Sequence, residues 1–234
     1  NVDDFHFSDN ERIKARAKIF ADDRAFVVLF LGRLSFHCKA HPLTMYRALE
    51  SVATATGREV KLIECGWYAN EYTQRAYEQA WKELCPSLQV IYLDGRDPQN
   101  RQLAWASADV FCSLADNIQE TFGISPVEAM AVGLPVVVSD WDGYRDTVTS
   151  DCGFRIPTLK PIPGLGQDFA YRYATGLDNY DFYCGHTSSF VGVDLTACTD
   201  AFTRLLQDKN LRVQMGKACK KRAREHYDWS ILIP

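Results

Sequence analysis

The stretch Glu120-Thr121-Phe122-Gly123-Ile124-Ser125-Pro126-Val127-Glu128 sets one glutamate in a glycine-containing loop and a second inside the first turn of a helix. Ser125 reads as the N-cap of that helix, Pro126 as its first residue, and Glu128 as the N3 partner of a capping box. The helix runs through Ala129-Met130-Ala131-Val132 and stops at Gly133, ahead of the apolar run 135–138. A helix start between two apolar runs is where an α/β protein holds a phosphate, because free N–H groups and the helix dipole both point there. Two carboxylates beside such a pocket suit a ligand with hydroxyls as well as phosphates, a combination that points towards nucleotide sugars.

Upstream, Phe26-Val27-Val28-Leu29-Phe30-Leu31 is a continuous apolar run, as in a strand buried on both faces. A helix follows over 42–56, with Met45, Ala48, Leu49 and Val52 along one stripe. Strands at 60–63, 89–93 and 110–112 alternate with helices at 71–84 and 102–106. Beyond the two glutamates come strands at 136–138 and 153–156. This alternation predicts an α/β fold: a single domain built on a Rossmann-like, doubly wound parallel sheet, with its ligand crevice beyond the carboxyl ends of the strands.

Residues 1–24 are polar, weakly helical over 10–20, and expected to be a connection leading into a core at 25–159. Pro157, Pro161 and Pro163 open a stretch rich in aromatics (Phe169, Tyr171, Tyr173, Tyr180, Phe182, Tyr183), and 160–192 is expected to be an irregular insertion. A small local core is the favoured role, with a lid or a contact surface for another domain as alternatives. The helices of 193–234 close the domain, the first burying Leu195, Cys198, Phe202, Leu205 and Leu206.

The 234 residues suffice for a core that needs no staples, and 47% hydrophobic with 24% charged residues is ordinary for a globular protein. A net charge of -4 and a pI near 5.7 give a nucleic-acid partner no electrostatic support. The basic stretch 217–224 lies on a helical pattern and reads as a solvated face, with an anionic membrane surface as the alternative. Eight cysteines form no CxxC pair and no zinc spacing, so reduced thiols in a cytosolic protein are expected. No signal peptide is apparent, and no apolar run approaches membrane-spanning length. A first residue other than methionine and a stop at Ile233-Pro234 read as a piece of something larger.

The first strand empties into Gly32-Arg33-Leu34-Ser35-Phe36-His37-Cys38-Lys39. Arg33 offers a bidentate fork and Lys39 a mobile point charge, and both can converge on one pyrophosphate. A surface loop with two solvated cations is the competing reading. The loop carries neither a dinucleotide fingerprint nor a P-loop. Glu128 has a structural role open to it in the capping box, whereas Glu120, after Asp116-Asn117-Ile118-Gln119, has none.

Gly-Arg-Leu with a following Lys, then Glu-x-Phe-Gly, Glu-Ala-Met-Ala-x-Gly-x-Pro-Val-Val and an Asp-x-x-Gly loop resemble the family-4 retaining glycosyltransferases, and more narrowly the C-terminal, donor-binding half of their GT-B fold. The likeness covers about 26–156 and returns over 211–229. It implies that Arg33 and Lys39 neutralise the donor pyrophosphate. Glu120 would lie beside the donor sugar and the reacting centre, Glu128 would bind the ribose, and backbone N–H groups near Gly123 and Ile124 would meet phosphates and sugar. It further implies a nucleoside diphosphate sugar as donor substrate, no cofactor and no metal, and an acceptor-binding N-terminal domain outside this chain. Asp142 stands before Gly143 where relatives often have a second glycine, and Asp146 where many have glutamate. His37 and Cys38 are expected to serve packing or loop shape, with a contact to the donor as the alternative. A sugar-nucleotide epimerase or phosphorylase of the same architecture, and a non-catalytic nucleotide-binding module, are the rival readings.

Overall fold

The structure, a computed structural model, describes residues 2–233. After a short 3-10 turn at Val2–Phe5 the chain runs through α1 (Asp9–Lys18), β1 (Phe26–Leu31), α2 (Leu43–Thr56), β2 (Val60–Gly66), α3 (Glu71–Leu84) and β3 (Gln89–Asp94). It continues through α4 (Pro98–Ser107), β4 (Val110–Ser113), α5 (Ile124–Val132), β5 (Val136–Ser139), α6 (Tyr144–Thr147) and β6 (Gly153–Ile156). The last part comprises β7 (Thr158–Leu159), α7 (Gln167–Ala174), α8 (Tyr180–Ser188), β8 (Gly192–Val193), α9 (Leu195–Gln207), α10 (Lys209–His226) and α11 (Trp229–Leu232).

Six strands form one parallel sheet in the order β3-β2-β1-β4-β5-β6. The order reverses between β1 and β4, and such a switch point opens a crevice at the carboxyl ends of the strands. Alternate residues of β1 serve opposite faces. Phe26, Val28 and Phe30 join a cluster with Leu49 and Phe202, while Val27 and Leu29 join one with Trp105, Phe111 and Met130. Helices thus cover both faces, which is why these strands read as unbroken apolar runs.

Four expectations are corrected. Residues 1–24 are part of the domain, not only a lead-in: the buried Arg16 of α1 donates to the carbonyls of Ser107, Asp22 and Ala25 and pairs with Asp109 at 3.1 Å. Asn1 of that segment, like Pro234 of 193–234, lies outside the described residues. The stretch 160–192 is not irregular: it forms the hairpin α7–α8, the second helix capped by Asn179, whose side chain accepts from Phe182 N. Its rings do stack locally, Tyr173 on Tyr183 at 5.1 Å and Phe169 on His186 at 5.3 Å, yet Tyr171 and Phe182 stay largely exposed. The basic stretch 217–224 is only partly solvated, since Arg222 of α10 donates to the carbonyls of Thr147 and Asp146 at 2.8 Å. On α9 the expected buried face holds except for Leu195, which is exposed. All eight cysteines are free and buried, and among the described residues no helix is long and apolar enough to cross a membrane.

Candidate functional site

Two loops flank the switch point. The loop after β1 carries Arg33 and Lys39; the loop after β4 carries Asp116 to Gly123 and feeds α5. The Asn117 side chain staples them together: it donates to the carbonyl of Lys39 and accepts from Gln119 N at 3.0 Å. Asp116 Oδ2 accepts from His41 N at 3.1 Å, adding a second tie. Burial pushes the Asp116 carboxyl up to about 7, and its other oxygen, Oδ1, has no hydrogen-bond partner among the described residues. At the end of β5, Ser139 Oγ donates to the Ala115 carbonyl at 2.5 Å, and in the loop that follows Trp141 Nε1 donates to the Asn117 carbonyl at 2.9 Å.

The buried Glu120 receives Lys39 Nζ at 3.0 Å. Tyr144 lies next to it, its hydroxyl 2.8 Å from Ser113 Oγ. Burial, and then the Glu120 charge, raise the phenol far above its usual range, so it stays protonated and can donate. Arg33 shares the loop with Lys39 but makes no hydrogen bond or ion pair among the described residues. The two cations therefore share one loop without a common partner among the described residues.

The start of α5 differs from the sequence expectation. Gly123 is the N-cap, in the left-handed region at φ 87, and Ile124 is the first helical residue, with no side chain capping the end. The capping box of Ser125 and Glu128 does not form. Two constraints select glycine at 123: its φ, and the Tyr144 ring, which a Cβ would meet at 2.4 Å. The result suits an anion, because the first amides of the helix are left without a side-chain acceptor.

Glu128 is thus freed of its capping role. It is half-buried further into α5, where burial raises its pKa and the Arg101 charge opposes that rise. Arg101 also donates to the Gly95 carbonyl at 2.8 Å, connecting Glu128 to the loop after β3. That loop is clamped by Arg96 on the carboxylate of Asp94, at 2.9 and 2.6 Å. After β5, Asp142 holds a positive φ of 37, which explains why a glycine suits that position. Gly143 beside it packs so closely that a Cβ would lie 2.2 Å from the Thr121 carbonyl oxygen.

Sequence reasoning singled out Arg33, Lys39, Glu120, Gly123, Ile124 and Glu128; the structure adds Asn117, Asp116 and Tyr144 to the contacts around them. The polar pair Asp116-Asn117, just beyond the buried run that ends at Ala115, was the available signal for two of them. Tyr144 gave none, since its role depends on packing against Gly123.

A parallel sheet with a switch point at β1 and β4 and helices on both faces defines a Rossmann-like α/β domain. Solved structures share the fold. The C-terminal domain of a glycosyl transferase group 1 family protein (LpcC) from Francisella tularensis superposes with a TM-score of 0.69 at 14% identity, over 98% of each chain. WaaG, a glycosyltransferase involved in lipopolysaccharide biosynthesis, gives 0.67 at 18% identity, over 96% of this chain and 50% of its own. A structure of Anabaena Alr3699/HepE in complex with UDP and glucose gives 0.53 at 19%, over 96% of this chain and 54% of its own.

Residues 11–158 match the family described as "Glycosyl transferases group 1", and the chain belongs to that family. Among curated relatives, a D-inositol 3-phosphate glycosyltransferase of Corynebacterium efficiens is 24% identical over 95% of this chain and 44% of its own length. A phosphatidyl-myo-inositol mannosyltransferase of Mycobacterium leprae is 31% identical over 61% of this chain and 29% of its own. The chain spans less than half the length of these two relatives, and its fold is that of the C-terminal half of a GT-B protein.

Proposed function

We propose that this chain is the donor-binding half of a retaining glycosyltransferase, moving a sugar from a nucleoside diphosphate sugar to an acceptor hydroxyl. The observation that carries the reading is the Lys39–Glu120 pair at the uncapped start of α5. Arg33, Lys39 and the amides of Gly123 and Ile124 take the diphosphate. As the glycosidic bond breaks, the leaving diphosphate gains negative charge, and fixed cations and N–H dipoles aimed at it lower the barrier. This chemistry needs no metal ion or cofactor, because side chains supply the positive charge.

Glu120 takes the sugar side, next to the protonated Tyr144, and Glu128 takes the ribose. The base lies towards the loop after β3, where Arg101 joins Gly95 to the neighbourhood of Glu128. The acceptor binds mainly in an N-terminal domain across the cleft, so the chain alone binds donor and turns over little. The eight buried free thiols suit a reducing, cytoplasmic setting, and the basic stretch 217–224 suits a peripheral membrane contact of the full-length protein.

The test incubates the full-length protein with UDP-, GDP- and ADP-sugars and an acceptor, following diphosphate release and the anomeric configuration of the product by NMR. Release with a retained anomer, lost in Glu120→Gln, supports the reading. An inverted anomer or epimerised donor overturns it.

A further inference from the structure

The hairpin α7–α8 lies against the loop after β1. Gly185 packs on His37, where an added Cβ would stand 3.4 Å from the His37 Cβ. Gln119 Nε2 lies 3.4 Å from Cys184 Sγ. At this seam three side chains of different chemistry converge: His37 and Cys38 from the loop, and Asp181 from the first turn of α8. One ligand atom from each lies within 4.8 Å of the other two, and Cys38 Sγ is 3.6 Å from Asp181 Oδ1.

The geometry points to a binding site for a zinc-class divalent cation, formed by His37, Cys38 and Asp181, that clips the α7–α8 hairpin to the loop carrying Lys39. Sulfur, imidazole and carboxylate together select a borderline-soft ion over calcium or magnesium, which take oxygen ligands. In a tetrahedral zinc site the donors sit about 2.0–2.3 Å from the ion, and hence roughly 3.3–3.8 Å from one another. The Cys38–Asp181 distance already falls in that range, and modest rotation of side chains closes the rest.

One thiolate and one carboxylate neutralise the two positive charges, and water fills the fourth position. Ser35 Oγ stands 3.4 Å from His37 Nδ1 and helps orient the ring, the supporting role a metal-bound histidine needs. Ligation replaces the Cys38 S–H bond with S–metal, and the proton leaves to solvent. The ion takes no part in sugar transfer; it fixes the hairpin on the loop. This site is independent of the donor reading above, since it uses none of that reading's residues.

The chain, dialysed free of metal, is titrated calorimetrically with Zn²⁺ in two buffers of different ionisation enthalpy, and with Co²⁺ by absorption. The expected result is one ion per chain with release of about one proton, and a thiolate-to-cobalt charge-transfer band. Asp181→Asn, at an exposed position that leaves folding intact, weakens zinc at least about tenfold, and so does His37→Gln; Cys38→Ser loses the band. Asp168→Asn on α7 changes nothing. Zinc also slows amide exchange over 180–188 in the wild type. Failure of the wild type to bind one ion saturably, or equal affinity in Asp181→Asn, overturns the site.

Discussion

Lys39 Nζ stands 3.0 Å from Glu120 Oε2, an ion pair joining the loop after β1 to the loop after β4 across the point where the strand order reverses. Without donor, the Lys39 charge is spent on a carboxylate that is itself buried. An incoming diphosphate must compete for that lysine. Glu120→Gln releases it and removes a negative charge from the crevice. The expected result is a gain of roughly twofold to tenfold in affinity of the chain for its nucleoside diphosphate, with transfer by the full-length protein lost. Calorimetry on the variant checks it, and weakened binding contradicts the competition.

Glu128→Gln separates ligand binding from helix capping. Because Glu128 makes no capping box, the change leaves the melting temperature unaltered or slightly raised, burial having already disfavoured its charge. Nucleoside diphosphate affinity falls about fivefold to tenfold, because the amide keeps only a weaker, neutral hydrogen bond in place of one to a charged acceptor. A lower melting temperature with unchanged affinity would return Glu128 to a structural role.

Gly123→Ala combines a left-handed φ with a Cβ driven into the Tyr144 ring. Destabilisation of about 2–4 kcal/mol is expected from backbone strain and overpacking together, read as a lower urea midpoint. Tyr144→Ala in the same background removes the clash and recovers part of the loss of stability over Tyr144→Ala alone.

The sheet was legible because each strand is a short apolar run between amphipathic helices; Phe26 to Leu31 and Gly153 to Ile156 match their expected bounds. The start of α5 was misread because Ser125-Pro126 carries a strong local capping signal. Tertiary contact overrode it, Tyr144 requiring glycine at 123 and the left-handed turn there starting the helix earlier. The prolines at 157, 161 and 163 masked two real helices, although Asn179 was a usable N-cap signal. Lys39 and Glu120 were each legible from their loops. Their pairing, like that of Cys38 with Asp181, joins residues far apart in the chain and could not be read from spacing.

A buried carboxyl on β2 makes stability depend on pH. Glu64 accepts from Tyr46 Oη and from Trp81 Nε1 at 3.1 Å, yet burial outweighs both bonds and raises it from 4.5 to about 7. The folded state therefore holds the proton more tightly than the unfolded chain, so stability is fullest below about pH 4.5 and declines as pH rises towards 7. Asp116, also raised to about 7, adds in the same direction. Glu64→Gln is expected to flatten part of that decline, a gain of roughly 1–3 kcal/mol at pH 8 relative to pH 4.5, measured by urea unfolding at both values. An unchanged slope would mean that Glu64 does not titrate in this range.

The most direct test of the donor-binding account is a calorimetric titration of this chain with UDP, GDP and ADP, beside the double variant Arg33→Ala, Lys39→Ala. The account predicts saturable binding of one diphosphate by the wild type. The double variant should lose at least about a hundredfold in affinity, since two charge-assisted contacts are removed. Equal affinities in the two proteins, or no saturable binding of any diphosphate by the wild type, would contradict it.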